Sequence, residues 1–274
     1  MPIQEGLFWA RDGERIFYRF QAGSPDKNPI LLVHGHGEHS GRYLKFFTRL
    51  EDLEHPLLAF DLRGCGRSSG APVHVSRFED YFTDITGLLD FLSDRFKIQG
   101  PVILVGHSLG GLIATGWARE NPERVSKLIL SSPLFGLPHE GGTRILAKVL
   151  NRIVPTLVVH NPVSPPFLTH DLEEVERYRK DPLIQRRITV RLAYEMVRYM
   201  SLFREKELVL PFPVYILMAG EDHVVWPEAT HRFFSRLRAP RKELEVFDGF
   251  FHEIFNEMGQ DKAFERLKYY LARP

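Results

Sequence analysis

Short apolar runs recur along the chain, and several of them lack the alternation of polar and apolar positions that marks a half-exposed strand. These runs occupy residues 30–33, 57–60, 102–105, 128–130 and 214–218. Uninterrupted runs of this length, bounded by glycine and proline, are typical of strands buried on both faces of a parallel sheet. A β-hairpin is predicted before them, because Asp12-Gly13 separates the runs 7–10 and 15–20 and Asp-Gly is a strong turn signal.

Helical periodicity appears between the predicted strands. Residues 78–96 carry apolar side chains at three- and four-residue intervals, which predicts an amphipathic helix with one buried face. Alternating strands and helices indicate an α/β fold with a mostly parallel central sheet flanked by helices.

The alternation stops between residues 133 and 211, where prolines and glycines cluster and no buried strand is evident. We therefore predict a helical cap inserted at 133–211 into a core formed by 1–132 and 212–274. Its helices are expected at 143–154, 173–180 and 187–200, with Asp171 as the N-cap of the second.

Composition excludes several classes of protein. The 274 residues contain 36 Lys and Arg against 35 Asp and Glu, so no strong field attracts nucleic acid. The one cysteine, Cys65, cannot form an internal disulfide, and the start has no signal-peptide pattern; we expect a cytoplasmic location. The longest apolar runs are about half the roughly 20 residues that span a bilayer.

The segment Gly106-His107-Ser108-Leu109-Gly110 lies between the buried run 102–105 and a helix start. This is the setting of a nucleophile elbow, in which a sharp strand-to-helix turn presents a serine hydroxyl. An inert serine in a tight turn is the alternative. We predict Ser108 as the nucleophile.

A serine hydroxyl needs a histidine base, and that histidine needs a carboxylate to fix its tautomer. In folds built on such an elbow the acid and then the histidine follow the serine along the chain. Asp222 follows the run 214–218 and is the predicted acid, with Glu221 and Asp248 as alternatives.

Three histidines follow Asp222. His223 adjoins it in the same loop, and His231 falls within a helix-like run. His252 lies on a loop after the last strand-like run, 244–247, at the expected sheet edge of the nucleophile. His252 is therefore the predicted general base.

The turn after residues 30–33 contains glycines and three histidines, His34, His36 and His39. Such a turn can offer main-chain N–H groups to an oxyanion. The predicted donors are the N–H groups of His36 and Leu109. A zinc site on the three histidines is a weaker alternative because no His-Glu-x-x-His spacing or second thiolate accompanies them. We expect no metal and no cofactor.

Four separated segments carry a family resemblance: residues 34–43 (HGHGEHSGRY), 61–68 (DLRGCGRS), 106–111 (GHSLGG) and 252–257 (HEIFNE). Together they resemble the monoacylglycerol lipase and lysophospholipase group of the α/β-hydrolases. The resemblance implies the α/β-hydrolase fold, ester hydrolysis by Ser108, Asp222 and His252, and a helical cap over an acyl-binding tunnel. Cys65 and Leu109 depart from residues common in the group, which often has histidine and methionine at these positions.

The predicted function is therefore a serine carboxylic-ester hydrolase that cleaves monoacylglycerol to fatty acid and glycerol through an acyl-enzyme. A lysophospholipase or a broad short-chain carboxylesterase is the alternative, and a proline-iminopeptidase-type peptidase or a non-catalytic binding protein of the same fold is a weaker one.

The cap helix 143–154 has a basic stripe of Arg144, Lys148 and Arg152 beside an apolar face. We expect that face to pack on the sheet domain or line the acyl pocket. Peripheral contact with a membrane surface is the alternative.

Overall fold

The computed structural model describes residues 1–98, 100–138, 140–161 and 163–273, without the side chains of 140–145. Its main feature is an eight-stranded sheet with the strand order β1-β2-β4-β3-β5-β6-β10-β12. The strands of the chain are β1 (Gln4–Trp9), β2 (Arg15–Gln21), β3 (Ile30–Val33), β4 (Leu57–Phe60), β5 (Val102–His107), β6 (Val125–Ser131), β7 (Val158–His160), β8 (Arg187–Thr189), β9 (Leu208–Val209), β10 (Val214–Ala219), β11 (Leu237–Arg238) and β12 (Lys242–Phe247).

The sheet is mostly parallel. The hairpin β1–β2 is antiparallel and β2 pairs antiparallel with β4, whereas the remaining neighbours run parallel. All five apolar runs predicted as buried strands form central strands of this sheet, and β3, β4, β5 and β10 are buried along their whole length. The predicted hairpin and the mostly parallel α/β sheet are confirmed.

Helices cover both faces of the sheet. They are α1 (Leu44–Arg49), α2 (Glu79–Phe96), α3 (Leu109–Glu120), α4 (Glu140–Ile153), α5 (Leu172–Lys180), α6 (Val190–Glu205), α7 (Pro227–Arg236) and α8 (Gln260–Ala272). One hydrophobic core lies between the sheet and α2, α3, α6 and α7, and a second lies between the sheet and α1 and α8. Because these neighbouring strands are parallel, their carboxyl ends lie at one edge of the sheet, where the loops after β3, β5, β10 and β12 meet.

The segment between β6 and β10 contains α4, α5 and α6 and the small antiparallel pair β7–β8. We propose that residues 133–211 act as a cap, as the sequence predicts. Asp171 is the N-cap of α5, because its carboxylate accepts hydrogen bonds from the N–H groups of Glu173 and Glu174.

Two features of this segment differ from the predictions. Helix α6 begins at Val190 rather than at residue 187, because Arg187–Thr189 pairs with β7 and the Thr189 hydroxyl caps the helix. Helix α4 begins at Glu140 rather than at residue 143.

Part of the apolar face of α4 is exposed, whereas the sequence predicts that this face packs on the sheet domain or lines the acyl pocket. Leu146, Val149 and Ile153 are 56%, 50% and 71% exposed. The side chains of Arg144 and Ile145 lie outside the described residues. No helix in the described part of the chain has both the length and the apolarity needed to cross a bilayer.

Candidate active site

Ser108 occupies the turn between β5 and α3 with φ 52° and ψ −119°. A positive φ is unfavourable for a residue with a side chain, so the surrounding structure must enforce it. The enforcement is visible at Gly110, where an added Cβ would lie 2.0 Å from the carbonyl oxygen of Val33. Helix α3 therefore starts directly against β3, and the serine occupies the sharp turn that a nucleophile elbow requires.

Asp222 and His252 are brought together from the loops after β10 and β12. His252 Nδ1 lies 2.7 Å from Asp222 Oδ2, and Asp222 Oδ1 accepts hydrogen bonds from the N–H groups of Val224 and Val225 at 2.8 and 2.9 Å. It is thus Asp222, rather than the alternatives Glu221 and Asp248, whose carboxylate contacts the predicted base.

Burial and charge oppose each other in this pair. Burial disfavours the imidazolium, but the charge and hydrogen bond of Asp222, together with the charges of Glu253 and Glu38, outweigh it and raise the pKa of His252. Burial likewise disfavours the carboxylate, yet His252 and the two N–H groups lower the pKa of Asp222. The arrangement therefore favours an imidazole that can accept a proton and hold it as a cation.

The predicted oxyanion donors belong to two segments that lie beside the serine. Leu109 is the first residue of α3, and His36 belongs to the turn after β3. His36, Ser108 and His252 line one cavity of about 40 Å³, together with Asn161 and Leu168 of the cap segment. The structure thus brings together Ser108, His252 and the turn that carries His36, with Asp222 behind the histidine.

The three histidines of this turn have separate partners. His34 Nε2 accepts a hydrogen bond from the N–H of Leu62 at 2.9 Å, whereas His36 and His39 contact the cap. Within the described ranges, no group of three or more His, Cys, Asp and Glu side chains is placed to hold a metal ion.

A buried ionic network lies beside the site and was not predicted from the sequence. Arg42 contacts Glu253 through two hydrogen bonds of 2.6 and 2.7 Å and Glu38 through one of 2.9 Å. Glu38 also accepts hydrogen bonds from the N–H of Gly35 and the hydroxyl of Tyr43 at 2.6 and 2.7 Å. Burial opposes ionisation of both carboxyls, but Arg42 holds their pKa values low. The network joins the turn that carries His36 to the loop that carries His252.

Two further side chains complete the surroundings. The ring centroid of His107 is 4.8 Å from that of His252, and burial, followed by the neighbouring His252, lowers the pKa of His107 to about 4. Cys65 is buried, and burial is the main cause that raises its thiol pKa to about 12. Both side chains are therefore neutral at physiological pH.

Comparison with known proteins agrees with this architecture. Human monoglyceride lipase is 30% identical over 90% of this chain and 82% of its own, and phospholipase YtpA of Bacillus subtilis is 30% identical over 87% and 93%. The crystal structure of the Paleococcus ferrophilus monoacylglycerol lipase superposes with a TM-score of 0.82, at 29% identity over 99% of this chain and 98% of its own.

Another relative is longer. The chain covers 47% of the uncharacterized protein YnbC of Escherichia coli, to which it is 26% identical over 98% of its own residues. The sequence model of the hydrolase family described as "Serine aminopeptidase, S33" matches residues 24–259. The chain therefore has the α/β-hydrolase fold and belongs to this hydrolase family.

Proposed function

We propose that the protein is a serine carboxylic-ester hydrolase that cleaves monoacylglycerol through an acyl-enzyme. The observation that carries the proposal is the placement of Ser108 at a strained elbow, in one cavity with His252, whose ring Asp222 contacts at 2.7 Å. A hydroxyl, an imidazole and an orienting carboxylate in this order are the groups that acyl transfer requires.

In the proposed reaction, His252 accepts the hydroxyl proton as Ser108 Oγ bonds to the ester carbonyl carbon. The N–H groups of His36 and Leu109 stabilise the oxyanion of the tetrahedral intermediate. The intermediate collapses with release of glycerol, which takes the proton from the imidazolium. Water, deprotonated by His252, then attacks the acyl carbon; the bond to Ser108 Oγ breaks, the imidazolium returns its proton to that oxygen, and the fatty acid is released.

The charge beside the cavity favours a neutral head group. Glu38, Glu253 and Arg42 all line it, and two carboxylates against one guanidinium leave an excess of negative charge. A phosphate-bearing head group would meet this charge at close range in a buried setting, where repulsion is weakly screened. The likeness to a phospholipase keeps lysophospholipid as the second candidate substrate.

The family description names an aminopeptidase, which would have to bind a free ammonium group. Glu38 and Glu253 are the carboxylates beside the cavity that could receive one, but both are already hydrogen-bonded to Arg42. Binding an ammonium there would require the buried ion pairs to break, which is costly. This supports ester over peptide substrates.

The test is hydrolysis of four substrates: a long-chain monoacylglycerol, a lysophospholipid of the same chain, a short p-nitrophenyl ester and a proline arylamide. Ser108→Ala is assayed in parallel, with Ser235→Ala on the outer side of α7 as the matched control. We expect monoacylglycerol to give the highest kcat/KM and only Ser108→Ala to abolish it. A dominant arylamide or lysophospholipid activity would refute monoacylglycerol as the proposed substrate. Activity in Ser108→Ala would refute Ser108 as the nucleophile.

We also propose that α4 contacts the lipid surface from which the substrate comes. Its exposed apolar side chains Leu146, Val149 and Ile153 stand beside the exposed Lys148 and Arg152, a combination that suits an anionic membrane surface. The double substitution L146S/I153S is expected to reduce co-sedimentation with vesicles containing anionic lipid.

The control for this contact is Met258→Ser, which removes a 78% exposed apolar side chain outside the cap. Equal binding of L146S/I153S and the control variant would exclude the α4 contact.

A further inference from the structure

The segment 181–187, here called the strap, follows α5 and lies against the oxyanion turn of residues 36–39. Three hydrogen bonds connect them. The N–H of Gln185 donates to the carbonyl oxygen of Gly37 at 2.7 Å, the His36 ring donates from Nε2 to the Arg187 carbonyl at 3.0 Å, and His39 Nε2 lies 2.9 Å from Asp181 Oδ2. Successive parts of the turn are therefore attached to the cap.

The tautomer of His39 identifies the donor in the last of these contacts. The N–H of Gly41 donates to His39 Nδ1 at 3.1 Å, so in the neutral ring the proton is on Nε2 and points to Asp181. The second oxygen of Asp181 accepts a hydrogen bond of 2.8 Å from the N–H of Leu183. This bond fixes the backbone at the start of the strap. One carboxylate thus shapes the strap and connects it to the turn.

The contact is closest at Gly37, whose φ is 70°. A Cβ atom at this position would lie 2.2 Å from the carbonyl oxygen of Gln185. The main chains of the strap and the turn therefore touch with no room for a side chain. On the other side, Glu38 accepts the N–H of Gly35 at 2.6 Å, so the turn is fixed from both sides.

We propose that the strap is part of the machinery that sets the oxyanion hole, and that Asp181 is a positioning residue acting through His39. The inference rests on the proposed ester hydrolysis. A main-chain donor stabilises an oxyanion only within a few tenths of an ångström of the correct place. When the strap contacts the turn, it holds the His36 N–H in the orientation that an oxyanion requires. When the strap moves away, the His36 N–H loses this orientation.

The experiment compares two ligands of the same alkyl chain in wild type, Asp181→Ala and Asp181→Asn. One is an alkyl trifluoromethyl ketone, whose carbonyl carbon bonds to the serine oxygen while the hydroxyl proton passes to His252, leaving an oxyanion. The other is a monoalkylglycerol ether, which binds without reaction. The asparagine variant keeps an oxygen that can accept the His39 N–H. Glu176→Ala removes a half-exposed carboxylate from α5 and is the matched control.

We expect Asp181→Ala to lower kcat and to reduce the affinity for the ketone about tenfold. The affinity for the ether should change less than about twofold, because only the ketone develops an oxyanion. Asp181→Asn should restore most of the loss, and Glu176→Ala should match wild type. If Asp181→Ala does not fold, His39→Phe removes the donor of the same hydrogen bond and is expected to weaken the ketone selectively.

Equal weakening of both ligands would show that the strap only shapes the pocket, and unchanged ketone affinity would show that it does not set the oxyanion hole; either result overturns the inference. Additive losses in Asp181→Ala and His39→Phe would refute the action of Asp181 through His39. A wild-type protein that neither hydrolyses esters nor binds the ketone would overturn the proposed function itself.

Discussion

Arg42 is the side chain whose removal tests the buried network most directly. It is hydrogen-bonded to two carboxylates, and the residues Glu38 and Glu253 are only 4% and 6% exposed. Arg42→Met keeps much of the apolar volume but leaves both carboxylates without their counter-ion. Breaking a buried ion pair in this way costs about 3–5 kcal/mol, so we expect a loss of that size in the free energy of unfolding at pH 8.

The loss should depend on pH in a defined direction. In wild type Arg42 lowers the pKa of both carboxyls, so their contribution to stability is present above the unfolded value of about 4.3 and is lost as the pH falls through the lowered values. In Arg42→Met the effect of burial is no longer offset by Arg42, so we expect both pKa values to rise and the folded variant to bind protons more readily than the unfolded chain. The difference between variant and wild type should therefore shrink from pH 8 to pH 5.

The assay is urea unfolding followed by tryptophan fluorescence at both pH values. Arg49→Met is the control, because Arg49 pairs with Asp261 where the two side chains are 40% and 74% exposed, and such surface pairs contribute at most about 1 kcal/mol. A loss below about 1 kcal/mol for Arg42→Met, or one that is the same at pH 5 and pH 8, would refute the reasoning.

Three further substitutions test other parts of the molecule. Asp222→Asn should lower kcat by about 10⁴. It should also move the acid limb of the pH–rate profile to lower pH, because Asp222 raises the pKa of His252 and activity is lost as that ring protonates. An acid limb at the wild-type pH would contradict the pairing of Asp222 with His252. Gly110→Ala should destabilise the fold by about 1–3 kcal/mol in thermal unfolding, since the added Cβ would overlap the Val33 carbonyl oxygen. Unchanged stability would show that the turn at Ser108 can shift to accommodate the methyl group. Lys127→Met removes an ammonium that donates to three carbonyl oxygens at the end of α8 and should cost about 1.5–3 kcal/mol in urea unfolding, a smaller loss arguing against this capping role.

The sheet could be read from the sequence because strands buried on both faces are unbroken apolar runs. The small pair β7–β8 could not, since its three-residue strands are too short for a period and β7 is exposed. The same shortness explains the misplaced start of α6: Arg187-Ile188-Thr189 is compatible with a helix until its pairing with β7 is known.

The candidate triad could also be predicted, because the elbow is a local motif and chain order limits the other two residues. The surrounding contacts are not local. Arg42 and Glu253 are separated by 211 residues, and His39 and Asp181 by 142. The Glu38–Arg42 spacing of four and the position of Glu253 directly after His252 were available as signals, but only the folded chain shows that these groups meet.

The size of the cavity at Ser108 has a consequence for the timing of turnover. About 40 Å³ is room for a few water molecules at most, because a cavity needs roughly 10–15 Å³ to hold one. The acyl chain of the proposed substrate is larger than this space, so its entry would require Asn161 and Leu168 of the proposed cap to withdraw. For the proposed ester hydrolysis, substrate would therefore enter in one arrangement of the chain and react in another, and each turnover would include an opening of the cap as well as the chemistry. A compound that wedges the cap in place would thus stop the enzyme without ever touching the serine.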